Sequence, residues 1–243
     1  LQLNYLDYFQ KNTQIQNMTR LIFLVLISYA TLGFSQNKGD TLHLIFDVKF
    51  NKENFSLNKK YISSLNDTLE IKTFKFYVSK IHIDFDDNTN LTDNGFYLID
   101  FEKITPSVPI ILNSDIKTKS VKNIKFSVGI DSLTNVSGAF GGDLDVTKGM
   151  YWAWQSGFIN FKIEGKSSSC TTPKNKFQFH IGGYLSPFLA LREINSTPKN
   201  ANLNVVIDVS RFFSEINLKE TNSIMIPCQK AVDLANILTK MFY

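Results

Sequence analysis

The sequence predicts an all-β fold: an antiparallel β-sandwich, immunoglobulin-like or related, with a short C-terminal helix. Three observations support this prediction. Apolar and polar residues alternate with a period of two over at least seven segments, which is the pattern of strands buried on one face. Clusters of Asn, Asp, Ser, Gly and Pro separate these segments, and helical spacing is confined to the end of the chain. Short strands joined by polar turns are typical of sandwiches and barrels.

The composition allows such a fold a substantial core and excludes several classes of protein. The chain has 243 residues, of which 43% are hydrophobic and 13% aromatic, so extended disorder is excluded. Lys and Arg number 26 against 22 Asp and Glu, a formal charge of +4, and the lysines are interleaved with acidic residues. A basic surface that follows a nucleic-acid backbone is therefore not expected.

The N-terminal region predicts export. Met18 and Arg20 precede a short apolar run, 21–27, and small residues follow it, as in a secretory signal peptide. The alternative is a membrane-spanning helix, which needs about 20 apolar residues, but Ser28 interrupts this run. We therefore expect a cleaved signal peptide over residues 18–35.

The regions on either side of this segment are interpreted separately. Residues 1–17 are polar and lie upstream of Met18, and we interpret them as an over-extended gene start. No internal repeat or long linker divides residues 36–243, which predicts a single domain. After cleavage we expect a periplasmic or secreted protein of the cell envelope and not an integral membrane protein.

The first predicted strand, 42–50, shows the alternation most clearly. Leu44 and Phe46 are among its apolar even-numbered residues, whereas His43 and Asp47 share the other face. This pattern indicates a half-buried strand. The other predicted strands cover residues 74–85, 95–101, 120–130, 158–164, 176–181 and 201–209.

Two segments depart from the alternation. Residues 136–143 contain glycines without the spacing of a phosphate-binding motif, and we interpret them as a flexible connection. Residues 227–242 place Ala231, Leu234 and Leu238 at helical spacing. This spacing predicts the short amphipathic C-terminal helix.

Cys170 and Cys228 are the only cysteines, which excludes a disulfide-dense scaffold and a four-cysteine metal centre. Because export leads to an oxidising compartment, we expect them to form a disulfide. That bond would stabilise the fold by about 4 kcal/mol in the chain-entropy model. The alternative is a cysteine thiolate bound to a metal.

Residues that carry chemistry are sparse. The sequence contains no glycine-flanked Ser, no His-Glu-x-x-His motif and only three histidines. A nucleophile, a base and an orienting partner cannot be named together, so no enzyme is predicted. His43, His82 and His180 each fall on a predicted strand, where a single imidazole is typically solvated or at the edge of a core. Three of them could converge at one end of a sandwich, and imidazole suits copper and zinc.

Both tryptophans lie in the most aromatic segment, Gly149-Met-Tyr-Trp-Ala-Trp-Gln-Ser-Gly-Phe158. Trp152 and Trp154 are two residues apart, so a strand would place both on one face. That arrangement fits core packing, with an indole N–H to satisfy, and it equally fits a shared site.

Four blocks of the sequence carry a family resemblance. They are Lys75-Phe-Tyr-Val-Ser79, Phe126-Ser-Val-Gly-Ile130, the Trp-bearing residues 149–165 and Phe177-Gln-Phe-His-Ile-Gly-Gly183. Together they resemble the MbnP family, the methanobactin-associated copper proteins of bacteria, from about residue 42 to residue 242. The Met-x-Trp-x-Trp-Gln motif followed by Phe-His-x-Gly is the most specific part of the resemblance.

The resemblance implies an exported protein, and some members of the family bind copper through His and through a Trp oxidised to kynurenine. A partner di-haem enzyme of the cytochrome c peroxidase type carries out that oxidation. Opening the indole ring frees an aromatic amine that can donate a lone pair, whereas unmodified Trp offers only an N–H donor. The resemblance makes Trp154 or Trp152 the modified residue and His180 the first candidate ligand, followed by His43 and then His82.

The sequence thus predicts a copper-binding protein that acts in copper acquisition or storage, without turnover of its own. The alternative is a non-catalytic binding or structural module of the envelope that has the same fold and binds no metal. In that case the tryptophans are packing residues and the histidines are incidental.

Overall fold

The computed structural model describes Arg20 and residues 41–103, 107–113, 119–138, 141–197 and 203–243. Residues 1–17 and, apart from Arg20, the expected signal peptide lie outside the described residues. Among the described residues no helix combines the length and the apolar character needed to cross a bilayer.

A smaller sheet is centred on β1 (Thr41–Phe50). This strand pairs in parallel with β12 (Asn204–Asp208) and antiparallel with β2 (Glu53–Asn54) and β6 (Ser107–Asn113). The alternation expected of β1 is confirmed, because Phe46 is fully buried whereas His43 is exposed.

A larger sheet is built around the long strand β4 and has nine strands within the described ranges. They are β3 (Lys60–Ile62), β4 (Thr68–Phe85), β5 (Asn90–Asp100), β7 (Val121–Val128), β8 (Tyr151–Trp152), β9 (Gly157–Ser167), β10 (Lys176–Gly182), β11 (Arg192–Ser196) and β13 (Ser223–Ile224). The predicted β-rich class is thus confirmed. Parallel pairing of β1 with β12 and of β10 with β13 makes both sheets mixed.

Helices are short and few in this part of the chain. They are α1 (Ser132–Ser137), α2 (Val209–Phe213) and α3 (Gln229–Thr239). Helix α3 confirms the expected C-terminal helix, since Leu234 and Leu238 lie on its buried face. The connection expected at 136–143 starts inside α1 and contains a 3-10 turn, Gly142–Leu144.

The main core lies between the two sheets. Phe46 of β1 meets Phe76 of β4 and Phe126 of β7 edge to face, with ring centroids 6.0 and 5.5 Å apart. Phe242, near the C-terminus, packs against Phe76 at 5.9 Å, and Phe212 of α2 packs against a neighbouring ring of β9 at 5.3 Å. Burial of these large rings supplies most of the driving force for the fold.

Strand β4 changes its partner halfway along one edge. On that edge it pairs with β9 over 69–76 and with β7 over 78–85, while β5 runs along the other edge. Asn160 fills the gap where β9 and β7 part, and its Oδ1 accepts a hydrogen bond from the backbone N–H of Ile130 at 3.0 Å. Gly129 is required beside it, because a Cβ there would lie 2.4 Å from the Asn160 amide carbon.

A second, smaller apolar cluster covers the opposite face of the larger sheet at this gap. Tyr77 points into it, whereas Phe76 and Val78, its neighbours on β4, point into the main core. We call it the outer cluster; its buried members are Tyr77, Ile130, Leu144, Met150, Trp152, Phe158 and Ile159. It places one of the two tryptophans on the outer face of the sheet.

Candidate metal-binding site around Trp152

The two tryptophans lie on a hairpin formed by β8 and β9. Trp152 pairs with Gly157, and the chain turns between them. Trp152 therefore ends a strand while Trp154 belongs to the turn, so the shared strand face expected from their spacing does not form. Trp152 is 6% exposed and Trp154 is 65% exposed.

Trp152 is enclosed in the outer cluster and lies over Gly182 of β10. A Cβ at Gly182 would be 2.8 Å from the Cζ3 atom of the indole, so only glycine lets the ring come this close. The indole Nε1 is buried and has no hydrogen-bond partner, and the same is true of Oε1 of Gln155 in the adjacent turn. An unsatisfied buried group costs about 1–3 kcal/mol, so this arrangement calls for a functional explanation.

His180 lies on the same outer face of β10, two residues before Gly182. Phe179 and Ile181, on either side of it, point into the main core. Along a regular strand two residues span roughly 7 Å, and the pairing of β10 with β9 is irregular between Ile181 and Gly182. The side chain of His180 is 8% exposed, so the imidazole is largely buried, as is the Trp152 indole.

Glu164 holds the His180 ring in place from the neighbouring strand β9. The distance between His180 Nε2 and Glu164 Oε1 is 2.5 Å. The hydrogen bond with His180 lowers the pKa of Glu164, despite the opposing effect of burial. An ionised carboxylate only accepts, so Nε2 of His180 donates the proton of this hydrogen bond. Histidines that bind metals commonly donate their second ring nitrogen to a carboxylate in this way.

A band of charged residues continues from this pair across the outer face. Lys162 of β9 lies 3.7 Å from Glu164 Oε1 and donates to the carbonyl of Gly149 at 3.2 Å, which ties the band to the Trp hairpin. Lys75 of β4 lies 3.3 Å from Asp100 and 2.5 Å from Glu102. We call Lys75, Asp100, Glu102, Lys162 and Glu164 the polar band.

The other two histidines lie elsewhere. His43 is on β1 of the smaller sheet. His82 is on β4, with Nδ1 2.9 Å from Thr92 Oγ1 and Nε2 3.0 Å from Asp84 Oδ1. His180 pairs with Lys162 of β9, and Lys162 pairs with Lys75 of β4. Along β4, His82 lies roughly 20 Å from Lys75, so His82 and His180 are at different ends of the sheet region.

The three histidines therefore do not converge, which was the arrangement considered from the sequence. Within the ranges described above, no three residues of the types His, Cys, Asp and Glu are grouped so that they could hold a metal ion. Of the candidate residues, His180 lies on β10 and Trp152 packs over Gly182 of the same strand, and both are largely buried.

The expected disulfide is absent from the structure. Cys170 and Cys228 are free thiols, the first buried in the main core and the second half-buried against it. Burial, and then the nearby Asp67, raise the pKa of Cys170, so its thiol stays protonated and behaves as a small apolar packing residue.

Sequence reasoning did not identify Glu164, Gly182 or Gln155 as parts of the site. The predicted strand 158–164 does place Lys162 and Glu164 on one polar face. What was lacking was the pairing of β9 with β10, which sets Glu164 opposite Gln178 and His180 opposite Lys162. No local pattern indicates which strands are neighbours.

The fold and the site define a class of protein: a two-sheet β domain with a buried tryptophan and a carboxylate-bound histidine on the outer face of its larger sheet. The chain belongs to the MbnP family, whose model matches residues 39–226. This confirms the family expected from the four sequence blocks.

A solved structure, MbnP from Methylosinus trichosporium, has a similar fold. The two share 13% sequence identity with a TM-score of 0.59, over 80% of this chain and 87% of that chain. The comparison with curated proteins gives no match.

Proposed function

We propose that this protein is an exported copper-binding protein of the bacterial envelope that acts in copper acquisition or storage. Trp152, once converted to kynurenine, and His180 supply the nitrogen ligands. Membership of the MbnP family supports the general function. The observation that carries the assignment to particular residues is the buried, unpartnered Nε1 of Trp152 on the strand face that also bears His180.

The chemistry of the donors fits this proposal. An intact indole offers copper no lone pair, because its nitrogen is an N–H donor only. Conversion to kynurenine opens the ring and leaves a primary aromatic amine at the position of Nε1. The Nδ1 lone pair of His180 is the second donor, oriented by the bond between Nε2 and Glu164. Copper here is the cargo of the protein, and the protein itself catalyses no reaction.

The structure favours Trp152 over Trp154 as the modified residue. The N–H of Trp152 is buried without a partner, whereas Trp154 is exposed to solvent in the turn. The conversion requires an oxidant from outside the chain. We propose that a di-haem enzyme of the cytochrome c peroxidase type supplies it in the periplasm, after export of residues 36–243 by the signal peptide.

The test uses protein purified from its own host. Peptide mapping of residues 150–162 should show one carbon exchanged for one oxygen at Trp152, which is the change from tryptophan to kynurenine. Copper titration should give near-stoichiometric binding. His180→Ala should abolish this binding, and Glu164→Gln should weaken it about 10–100-fold through loss of ring orientation.

His82→Ala is the matched control, since His82 is bonded to Thr92 and Asp84 far from this site; its copper affinity should equal that of the wild type. His180→Ala protein that binds copper as tightly as the wild type would refute the site.

An apolar cleft supports the second candidate, a binding module that holds no metal. The cleft has a volume of about 450 Å³ and lies beside Trp154; its walls include Leu185, Pro187, Phe188 and Ile226. Protein from the native host with both tryptophans unmodified and no bound copper would favour this function over copper binding.

A further inference from the structure

The indole rings of Trp152 and Trp154 lie next to each other, and one is buried while the other is exposed. Their ring centroids are 5.9 Å apart, with 47° between the ring planes. Trp152 is 6% exposed and is covered by Gly182 and by the outer cluster, whereas Trp154 is 65% exposed. A protein-bound haem can therefore approach the ring of Trp154 but cannot contact the ring of Trp152.

This geometry matters because electron transfer weakens steeply with distance. A direct transfer from Trp152 to an oxidant outside the protein has to cross the covering side chains. A transfer by way of Trp154 consists of two short steps between aromatic rings of similar oxidation potential. The second route is favoured whenever the exposed ring is oxidised first.

We propose that Trp154 is the surface electron relay through which Trp152 is oxidised. The proposal rests on the proposed function, in which Trp152 becomes kynurenine. The ferryl haem of the partner, formed from hydrogen peroxide, takes one electron from Trp154 and leaves its indole as a cation radical. Trp152 then gives an electron to Trp154, which restores Trp154 and leaves the Trp152 indole as the cation radical.

The overall conversion balances with peroxide as the oxidant. The Trp152 indole loses four electrons and takes up two oxygen atoms from water, which gives N-formylkynurenine and four protons. Two molecules of hydrogen peroxide accept these electrons and protons and end as water. Hydrolysis of the formyl group then releases formate and leaves kynurenine. Trp154 is unchanged at the end.

The test measures electron transfer between the two tryptophans in the absence of the partner enzyme. Protein made in a foreign host, with both tryptophans intact, is oxidised by tris(bipyridine)ruthenium(III), which is generated by light from the ruthenium(II) complex with hexaammineruthenium(III) as electron acceptor. This bulky complex meets the surface of the protein. Peptide mapping of residues 150–162 in air then reports how much oxygen each indole has gained, and transient absorption reports the tryptophan radical.

In the wild type, oxygenation should occur at Trp152 despite its burial. In Trp154→Phe it should fall by about tenfold or more, and in Trp152→Phe the product should appear at Trp154 instead. Tyr151→Phe is the matched control, because Tyr151 is a neighbouring oxidisable ring of the same hairpin, and it should leave the yield at Trp152 unchanged. A loss smaller than tenfold in Trp154→Phe, or an equal loss in Tyr151→Phe, overturns the relay.

Folding is monitored by the urea midpoint, which Trp154→Phe should leave unchanged because the side chain is mostly exposed. Native-host protein distinguishes this proposal from the function on which it rests. Kynurenine at Trp152 to the same extent in the wild type and in Trp154→Phe would refute the relay and leave the proposed function intact. A relay seen with ruthenium, together with no kynurenine in native wild-type protein, would refute the function and leave the relay.

Discussion

The inner face of the larger sheet, which packs into the main core, and its outer face differ in how many buried polar atoms have hydrogen-bond partners. The inner face contributes closely packed phenylalanine rings to the main core. Within the described ranges, three buried side-chain atoms on the outer side of the sheet have no hydrogen-bond partner: Nε1 of Trp152, Oε1 of Gln155 and Nδ2 of Asn160. These three residues lie in or beside the outer cluster.

This difference indicates that the two faces of the larger sheet have different roles. A core that only stabilises a fold has no reason to leave donors and acceptors unpaired, because each one costs free energy. Proteins depart from full satisfaction mainly at functional sites. The inner face therefore supplies most of the buried apolar surface, and the outer face is where buried polar atoms remain without partners.

The largest expected effect is on the inner face. Phe76→Ala removes a fully buried ring that contacts Phe46 and Phe242, and it should lower the free energy of unfolding by about 3–5 kcal/mol. Tyr77→Phe, at the next residue but on the outer face, removes only the hydrogen bond to the Asp143 carbonyl and should cost about 0.5–1.5 kcal/mol. Urea unfolding of both variants measures the contrast, and equal losses would contradict the division between the faces.

A smaller effect is expected where the outer cluster meets β10. In Gly182→Ala the new Cβ would lie 2.6 Å from the Phe158 carbonyl oxygen and 2.8 Å from the Trp152 ring. Because a backbone atom cannot move aside easily, we expect a loss of about 1–3 kcal/mol and a changed near-ultraviolet circular dichroism signal from the displaced indole. Gly141→Ala is the control, since nothing lies within 4 Å of its Cβ position. A Gly182→Ala variant as stable as this control would show that the indole does not lie on β10.

The contrast between the two faces also explains which features of the structure can be predicted from the sequence. The alternation in β1 and the helical spacing in α3 are local, and both were predicted correctly from residues such as Phe46 and Leu234. The partner change along β4 and the pairing of Glu164 with His180 depend on which strands are neighbours. The different burial of Trp152 and Trp154 depends on where the hairpin turns, and a period of two cannot reveal that position.

The smallest expected effect is electrostatic and belongs to the polar band. Burial opposes ionisation of Glu102, but hydrogen bonds from Lys75 and Thr73 outweigh it and hold the pKa of Glu102 below its ordinary value of 4.5. Burial lowers the pKa of Lys75, but the carboxylates of Glu102 and Asp100 outweigh this effect and raise it. Lys75 and Glu102 are therefore both charged at neutral pH. A carboxylate with a lowered pKa stabilises the fold above its ordinary pKa, and this contribution is lost as the pH falls through the lowered value.

We therefore expect the stability gap between the wild type and Glu102→Gln to be constant from neutral pH to about pH 5 and to close below the ordinary carboxyl pKa. Urea unfolding at a series of pH values measures the gap, which should be small because the Glu102 side chain is 42% exposed. Profiles that stay parallel down to acid pH would mean that Lys75 gains nothing from Glu102. The charge of Lys75 would then be stabilised by Asp100 alone, whose Oδ2 lies 3.3 Å from the lysine Nζ.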